Sequence, residues 1–297
     1  MKIAFLGLGL MGSLMTANLE RAGFKVRSYD PNGKGNCSSA GEAARGADVL
    51  ITMVPDGKAV RKAVTSALPG LAAGAIVIDM SSSDPATTRE LGALLKKKRI
   101  HMLDSPVSGA KAKAADGTLA LMVGGDAALL ERVRPVLSAM GSEIFHCGGL
   151  GSGHATKALN NYLGAAGTAA GMEALLIGEK FGLDPKTLIA VINASTGKNS
   201  TTERKIPQQV FTKAFASGFA HALMTKDVGI ARDIARSVGV KAPYLENTAK
   251  LWKTSLSRLP AGADHTEIYH YLKKLTPPSR GAVSPRAPSR RKPRRST

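Results

Sequence analysis

The chain opens on the stretch MKIAFLGLGLMG, residues 1–12, in which an apolar run leads directly into a glycine-rich turn. Gly7, Gly9 and Gly12 have the spacing G-x-G-x-x-G, and we predict a strand over 2–6 and a helix over 13–22 around them. In this context the first glycine permits a tight turn, the second lets the backbone approach a pyrophosphate, and the third lets helix and strand pack closely. Free N–H groups at the start of the helix favour the anion. The stretch therefore predicts a dinucleotide-binding unit.

An acidic residue supports this interpretation. Asp30 follows the next apolar segment, residues 24–29. A carboxylate in this place accepts hydrogen bonds from the adenosine ribose hydroxyls and repels a 2′-phosphate. A glycine turn that only joined a strand to a helix would leave Asp30 without a role. We therefore expect NAD as the cofactor, with NADP possible because Arg27 and Lys34 lie nearby in the sequence and could weaken the preference.

Composition excludes several classes of protein. The 297 residues are 43% hydrophobic, and no apolar run is long enough to span a membrane. Because Met1 leads straight into the predicted strand, and removal of a signal peptide would delete that strand, we expect no signal peptide. The two cysteines, Cys37 and Cys147, have no metal-ligand spacing, so we expect reduced thiols, no metal site and a cytoplasmic location.

The net charge of +19 is concentrated in part at the end of the chain. Residues 277–297 contain seven basic and no acidic residues, so a net charge of +12 belongs to the rest. We predict that this segment is a disordered basic tail, because it has too few apolar residues to form a core. Such a tail either touches nucleic acid or an anionic surface, or is solvated without a partner. It has no aromatic residue for base stacking, which weakens a single-strand interpretation.

Apolar strands and helical segments alternate through the first half of the chain. Regular alternation predicts βαβ units and a mostly parallel sheet with helices on both faces. We predict an α/β fold, with an N-terminal Rossmann-type doubly wound sheet over 1–152 and a smaller all-α domain over 153–276. The glycine-rich stretch 148–153 marks the boundary. The predicted strands span residues 2–6, 25–29, 49–53, 76–79, 101–104, 119–123 and 143–146.

The second half is predicted to be helical. Residues 156–181 form one long segment rich in Ala, Gly and Leu, whose small side chains permit close helix packing. Further helices are predicted over 185–193, 224–238, 243–257 and 265–275. Because such a helix can pack closely against a second copy of the chain, we expect the protein to form a homodimer or a homotetramer.

Three polar loops follow predicted strands. They begin at Val54, Ser81 and Ser105. In open α/β sheets ligands bind beyond the carboxyl ends of the strands, so these loops are placed to line one crevice. Each of them alone could also be an ordinary turn, because Ser, Pro and Gly are turn residues.

Lys157 and Asn161 lie four residues apart on one face of the predicted long helix. A lysine in this place could act as a general acid toward a carbonyl oxygen, with the amide orienting the substrate. The alternative is an ordinary surface lysine. Spacing alone does not decide between the two.

The ordered set of motifs resembles the β-hydroxyacid dehydrogenase family, which includes 3-hydroxyisobutyrate dehydrogenase, tartronate semialdehyde reductase and sulfolactaldehyde reductase. The resemblance spans most of residues 1–275 and leaves out the tail. It rests on the glycine turn, on SPVSG at 105–109, on GTL at 117–119 with MVGG at 122–125, on GSG at 151–153 leading to Lys157 and Asn160-Asn161, and on Lys226-Asp227.

The resemblance implies roles for these residues. Lys157 would be catalytic. The substrate would be held by Ser108, Gly109, Ala110, Asn160 and Asn161. The cofactor would contact Gly7, Gly9, Leu10, Met11, Gly12, Asp30, Val54, Ser82 and Lys226. Ala110 departs from the family, because many members have a second glycine there. His154 and His221 receive no role.

The preferred function is an NAD-dependent dehydrogenase that transfers a hydride between the cofactor and a small anionic 3-hydroxy acid or its semialdehyde, as 3-hydroxyisobutyrate dehydrogenase does. Tartronate semialdehyde reductase and sulfolactaldehyde reductase are alternatives. A 6-phosphogluconate dehydrogenase would need a larger helical domain and a histidine where this chain has Asn160. An alternative of another class is a non-catalytic dehydrogenase-like protein that binds nucleic acid through the basic tail, but relatives of that kind lack the lysine found here at 157.

Overall fold

An eight-stranded sheet organises the N-terminal half of the protein. The computed structural model describes residues 1–275, so the predicted tail over 277–297 lies outside the described residues. The strands are β1 (Lys2–Leu6), β2 (Lys25–Tyr29), β3 (Val49–Thr52), β4 (Ile76–Asp79), β5 (His101–Asp104), β6 (Val107–Ser108), β7 (Leu119–Gly124) and β8 (Gly141–Gly148).

The first five strands run parallel in the spatial order β2-β1-β3-β4-β5. Beyond them β7 is antiparallel to β5, whereas β8 is parallel to β7. The chain moves outward from β1 to β2 and then crosses back to β3 on the other side of β1. Ligands bind at such a switch point, outside the carboxyl ends of the strands. The predicted α/β fold class with a parallel-dominated sheet is confirmed.

Helices cover both faces of this sheet. They are α1 (Leu10–Arg21), α2 (Ala40–Ala44), α3 (Gly57–Ala67), α4 (Pro85–Lys96), α5 (Ala110–Asp116) and α6 (Ala127–Ser138). Along β1, Ile3 and Phe5 belong to one buried hydrophobic cluster, whereas Ala4 and Leu6 belong to the other. Strands buried on both faces have continuous apolar sequences, which is why these segments were recognisable.

The C-terminal half is helical around one core. Its elements are α7 (Ser152–Phe181), α8 (Pro185–Asn193), a π-helix (Thr201–Val210), α9 (His221–Ser237), α10 (Pro243–Leu256), a 3₁₀ turn (His265–Glu267) and α11 (Ile268–Leu275). The core is built on α7, α9 and α10 and includes the fully buried Trp252. None of the helices within residues 1–275 is long and apolar enough to cross a membrane.

Several local predictions differ from the structure. The long helix begins at Ser152 rather than at residue 156, because the Asp104 carboxylate accepts hydrogen bonds from the N–H groups of Gly151 (2.6 Å) and His154 (2.8 Å) and thereby caps it. The helix α1 also begins earlier than predicted, at Leu10 rather than at residue 13. The two-residue strand β6, the short helix α5 and the π-helix were not predicted.

Candidate active site

A cleft of about 1330 Å³ lies between the carboxyl edge of the sheet and the helical domain. Both halves of the chain line it. Every residue predicted to bind the cofactor is on its surface, as are Lys157, Ser108, Gly109, Ala110 and Asn161. Asn160 lies outside this lining, is exposed, and donates from its Nδ2 to Asn161 Oδ1 at 3.2 Å.

The glycine turn has the geometry that a pyrophosphate needs. Gly7 has a φ of +100°, and a Cβ there would collide with the Met53 carbonyl. A Cβ on Gly9 would meet no protein atom within 4 Å, which leaves open space above the turn. No side chain caps the N-terminus of α1, so its first N–H groups are available to an anion. The residues present therefore fit a dinucleotide.

Asp30 is buried at the end of β2, on the cleft surface. Its Oδ2 accepts the Leu8 N–H and its Oδ1 accepts the Asn32 N–H, both at 2.8 Å. Burial raises the pKa of Asp30, but the hydrogen bonds from Asn32 and Leu8 outweigh burial and the net pKa is lowered. The carboxylate is therefore ionised at neutral pH and places a negative charge where the adenosine ribose would lie.

Lys226 joins the helical domain to the sheet across the cleft. Its Nζ donates to the Ser82 carbonyl at 2.5 Å and to the Pro55 carbonyl at 3.1 Å. These carbonyls belong to loops that follow β4 and β3. The Val54 N–H in turn donates to Ser81 Oγ at 3.0 Å. One lysine of α9 thus fixes the two loops predicted to contact the cofactor.

Lys157 projects from the second turn of α7 into the cleft. Among the described residues, no hydrogen bond or ion pair holds its Nζ. Burial lowers the pKa of Lys157, Asp227 partly offsets this by raising it, and Lys226 lowers it further. A lysine with a lowered pKa gives up its proton more readily than a solvated lysine, which suits a group that transfers protons.

Asp227 connects the polar groups of the site. It is buried, and its Oδ2 accepts a hydrogen bond from Asn161 Nδ2 at 2.6 Å. Its Oδ1 lies 3.3 Å from Lys226 Nζ. Asp227 had no predicted role, although the Lys226-Asp227 pair was among the matching motifs. A carboxylate next to a predicted cofactor residue was the available signal.

The segment predicted to bind the substrate, residues 108–110, runs from the end of β6 to the start of α5 and is called the substrate loop below. Ser108 and Gly109 lie on the cleft surface, and a Cβ on Gly109 would collide with the side chain of Lys113. Ala110 has a φ of +55°, a left-handed conformation that favours glycine. The departure at Ala110 therefore strains the backbone without moving the loop out of the cleft. Many other residues without a predicted role also line the cleft, among them Lys111, Leu223 and Met224.

His154 lies beneath the cleft as a structural residue. Its Nδ1 is 2.9 Å from Thr88 Oγ1, and its Nε2 is 3.1 Å from the Ser81 carbonyl. The carboxylates of Asp79 and Asp104 flank the ring at 3.6 and 3.7 Å. Within residues 1–275, no group of three or more His, Cys, Asp or Glu could hold a metal ion.

Comparisons with known proteins show the family to which the chain belongs. Residues 2–149 match the family described as the NAD binding domain of 6-phosphogluconate dehydrogenase, and residues 151–272 match the family described as NAD-binding of NADP-dependent 3-hydroxyisobutyrate dehydrogenase. A probable 3-hydroxyisobutyrate dehydrogenase of Mycobacterium tuberculosis is 38% identical over 91% of this chain and 97% of its own length. The chain belongs to the β-hydroxyacid dehydrogenase family.

Other members of the β-hydroxyacid dehydrogenase family differ in their named substrates. The 2-(hydroxymethyl)glutarate dehydrogenase of Eubacterium barkeri is 34% identical over 85% of this chain and 88% of its own length. The 3-sulfolactaldehyde reductase of Escherichia coli is 35% identical over 81% of this chain and 85% of its own length. A solved structure of the M. tuberculosis 3-hydroxyisobutyrate dehydrogenase with L-serine has a TM-score of 0.86 at 37% identity and covers 92% of this chain and 99% of its own.

Membership confirms the enzyme class and the cofactor class. The chain is an NAD(P)-dependent oxidoreductase acting on a CH–OH group. The match over the helical domain is to 3-hydroxyisobutyrate dehydrogenase, which argues against a 6-phosphogluconate dehydrogenase. None of the relatives described above is named as a nucleic-acid-binding protein.

Proposed function

We propose that this protein interconverts a small 3-hydroxy acid and its semialdehyde, with NAD as the preferred cofactor and Lys157 as the group that transfers the proton. The observation that carries the proposal is the position of Lys157. Its ammonium group shares one cleft with the glycine turn and with the substrate loop, and burial lowers its pKa. A bound nicotinamide dinucleotide supplies or accepts the hydride.

Binding of the cofactor would involve residues along the carboxyl edge of the sheet. Gly7, Gly9, Leu10, Met11 and Gly12 form the turn and the first residues of α1, where a pyrophosphate would be held by N–H groups. Asp30 would accept hydrogen bonds from the ribose and oppose a 2′-phosphate. Val54 and Ser82 would enclose the nicotinamide half together with Lys226, because Lys226 of α9 ties together the two loops to which Val54 and Ser82 belong.

Binding of the substrate would place its carboxylate against Ser108 and Gly109, with Ala110 beside them. Asn161 would then orient the reacting oxygen. Because Asn161 Nδ2 is engaged by Asp227, the amide cannot rotate freely. Asn160 would act through its hydrogen bond to Asn161 rather than by contact, since it lies outside the cleft surface.

Lys157 would donate its proton to the carbonyl oxygen during reduction and take it back from the hydroxyl during oxidation. In its protonated form it also stabilises the negative charge that develops on that oxygen. Because Lys157 is desolvated by burial, this interaction is stronger than it would be in bulk water.

The test is reduction of NAD at alkaline pH with 3-hydroxyisobutyrate, glycerate, threonate, 4-hydroxybutyrate and sulfolactate. Lys157→Ala and the exposed control Lys186→Ala are assayed in parallel. A rate on one compound that disappears only in Lys157→Ala supports the proposal. A higher rate on glycerate or sulfolactate would favour a tartronate semialdehyde or a sulfolactaldehyde reductase, the latter a named relative. No rate on any of the five would contradict the proposed substrate class.

We also propose a homodimer or a homotetramer in solution. One face of α7 is apolar and exposed, with exposed fractions of 46% at Leu159, 68% at Leu163, 69% at Ile177 and 82% at Phe181. Exposed apolar patches of this kind mark interaction surfaces. Light scattering at micromolar concentration would contradict this if it gave the monomer mass. The cytoplasmic location remains a prediction.

A further inference from the structure

A buried carboxylate stands behind the cleft wall that Phe219 forms. Asp264 accepts hydrogen bonds from Ser217 Oγ at 2.8 and 2.9 Å and from the Gly218 N–H at 3.0 Å. Gly218 and Phe219 lie on the cleft surface. Asp264 lies 45 or more residues later in the chain than the segment it contacts. It therefore holds in place the segment that carries Phe219 to the cleft surface.

His265 holds the same segment at a second point. Its backbone N–H donates to the Phe219 carbonyl at 2.9 Å. Its Nδ1 is 3.1 Å from that carbonyl and 3.0 Å from Ser217 Oγ. Because a carbonyl can only accept, we assign the proton to Nδ1. Burial and the nearby Lys205 lower the pKa of His265 to about 4, so the ring is neutral at pH 7. The ring also meets Phe219 edge-on, with centroids 5.8 Å apart.

The backbone that precedes Phe219 is strained. Lys213 has a φ of +60° and Phe215 a φ of +44°, both in the left-handed region although neither is glycine. Such conformations persist only where their surroundings hold them. The Phe215 ring packs against His270, with centroids 4.2 Å apart, and the Ala216 N–H donates to Gln209 Oε1 at 2.8 Å. The Ser217–Asp264 contact and the His265–Phe219 contact come next along the chain and restrain the part of the segment that reaches the cleft.

We propose that Asp264 is a positioning residue for substrate selection: through Ser217 and Gly218 it fixes Phe219, and the fixed ring sets how large a side group the cleft accepts. The proposal rests on the proposed function for the identity of the substrate. It assigns no chemical step to Asp264, which lies behind the wall rather than on the cleft surface.

The experiment uses Ser217→Ala, which removes the hydroxyl link but leaves Asp264 to accept the Thr266 N–H at 2.9 Å, and Asp264→Asn. The matched control is Asp184→Asn, because Asp184 caps α8 by accepting the Thr187 N–H at 2.8 Å without touching the cleft. Each protein is assayed with 3-hydroxyisobutyrate and 3-hydroxypropionate, which differ by one methyl group, and by hydrogen–deuterium exchange over residues 214–220.

We expect the ratio of kcat/KM for the two acids to change by about fivefold or more in both cluster variants, since one methyl group in a pocket is worth about 10-fold or more. The change should lie in KM, with kcat and NADH affinity nearly constant. Exchange over 214–220 should be about tenfold faster, because the segment opens locally more often. The control should change neither measure.

An unchanged ratio together with unchanged exchange in Ser217→Ala would overturn the proposal, even if Asp264→Asn failed to fold. Asp264 also caps the 3₁₀ turn over His265–Glu267, so equal effects in Asp184→Asn would overturn the proposal by showing a general loss of helix capping. If the wild-type protein oxidised none of the acids, the proposed function would fail, whereas exchange would still decide whether Asp264 and Ser217 fix the segment.

Discussion

Replacing Asp227 with asparagine removes a buried charge that contacts two residues of the site. In the native protein its Oδ2 accepts from Asn161 Nδ2 at 2.6 Å and its Oδ1 pairs with Lys226 Nζ at 3.3 Å. A hydrogen bond to a charged group contributes about 1.5–3 kcal/mol. If Asn161 loses its orientation in the transition state, kcat/KM should fall by about 10- to 150-fold, since each 1.4 kcal/mol is a factor of ten.

The same substitution should change the pH dependence. The charge of Asp227 raises the pKa of Lys157 and thereby partly offsets burial, so its removal lowers that pKa further. Carbonyl reduction needs protonated Lys157, so activity is present below this pKa and is lost as pH rises through it. The alkaline limb of the reduction profile should therefore begin at a lower pH in Asp227→Asn than in the wild type.

The assay is steady-state reduction, from pH 6 to pH 10, of the semialdehyde that the wild type reduces, with NADH binding measured separately. Asp233→Asn is the control, because Asp233 is on the same helix but is exposed and pairs with Arg232 at 2.9 Å. A variant that binds NADH normally, loses less than about twofold in kcat/KM and keeps the wild-type alkaline limb would show that Asp227 neither orients Asn161 nor raises the pKa of Lys157.

Three further predictions concern cofactor choice and stability. Asp30→Ala should narrow the preference for NADH over NADPH in kcat/KM, because a charge that repels the 2′-phosphate is gone; a higher kcat/KM for NADPH in the wild type would contradict this. Ala110→Gly should raise the free energy of unfolding by about 0.5–1 kcal/mol in thermal denaturation, because a φ of +55° strains alanine; an unchanged or lower midpoint would count against it. In the wild type, the free energy of unfolding should fall as pH falls from 6.5 toward 4. His265 takes up a proton in the unfolded chain over this range, whereas in the folded protein its pKa is about 4 and it stays neutral. In urea titrations, His265→Gln should therefore lose about 2 kcal/mol less of its free energy of unfolding between pH 7 and pH 5 than the wild type does.

Short apolar runs in the sequence were sufficient to predict the parallel sheet, and the spacing of three glycines was sufficient to predict the glycine turn. Strands buried on both faces have apolar runs, and Gly7 has a φ that other residues rarely adopt, so both leave a local signature. The family match and the cofactor class followed from motifs of that kind. The strand β6 has only two residues, and Pro207 lies inside the π-helix, where a proline normally argues against a helix. Neither segment therefore shows a hydrophobic pattern from which it could be predicted.

Contacts between distant residues could not be read in the same way. Asn161 and Asp227 are 66 positions apart, and Ser217 and Asp264 are 47 apart. Each pair meets only because α7, α9 and the 3₁₀ turn pack together, which depends on the whole helical core. The lowered pKa of Lys157 is likewise a property of burial in the assembled cleft. Sequence spacing predicted that Lys157 and Asn161 share one helix face, but it did not predict which residues surround that face.

The most direct test of proton transfer by Lys157 is a single-turnover measurement of hydride transfer in Lys157→Met, with saturating NADH and the semialdehyde that the wild type reduces. We expect the rate to fall by about 10³-fold or more, because both proton donation and charge stabilisation are lost, while NADH affinity stays within about threefold. A rate within about tenfold of the wild type, in a variant that binds NADH normally, would contradict the assignment of Lys157 as the group that transfers the proton.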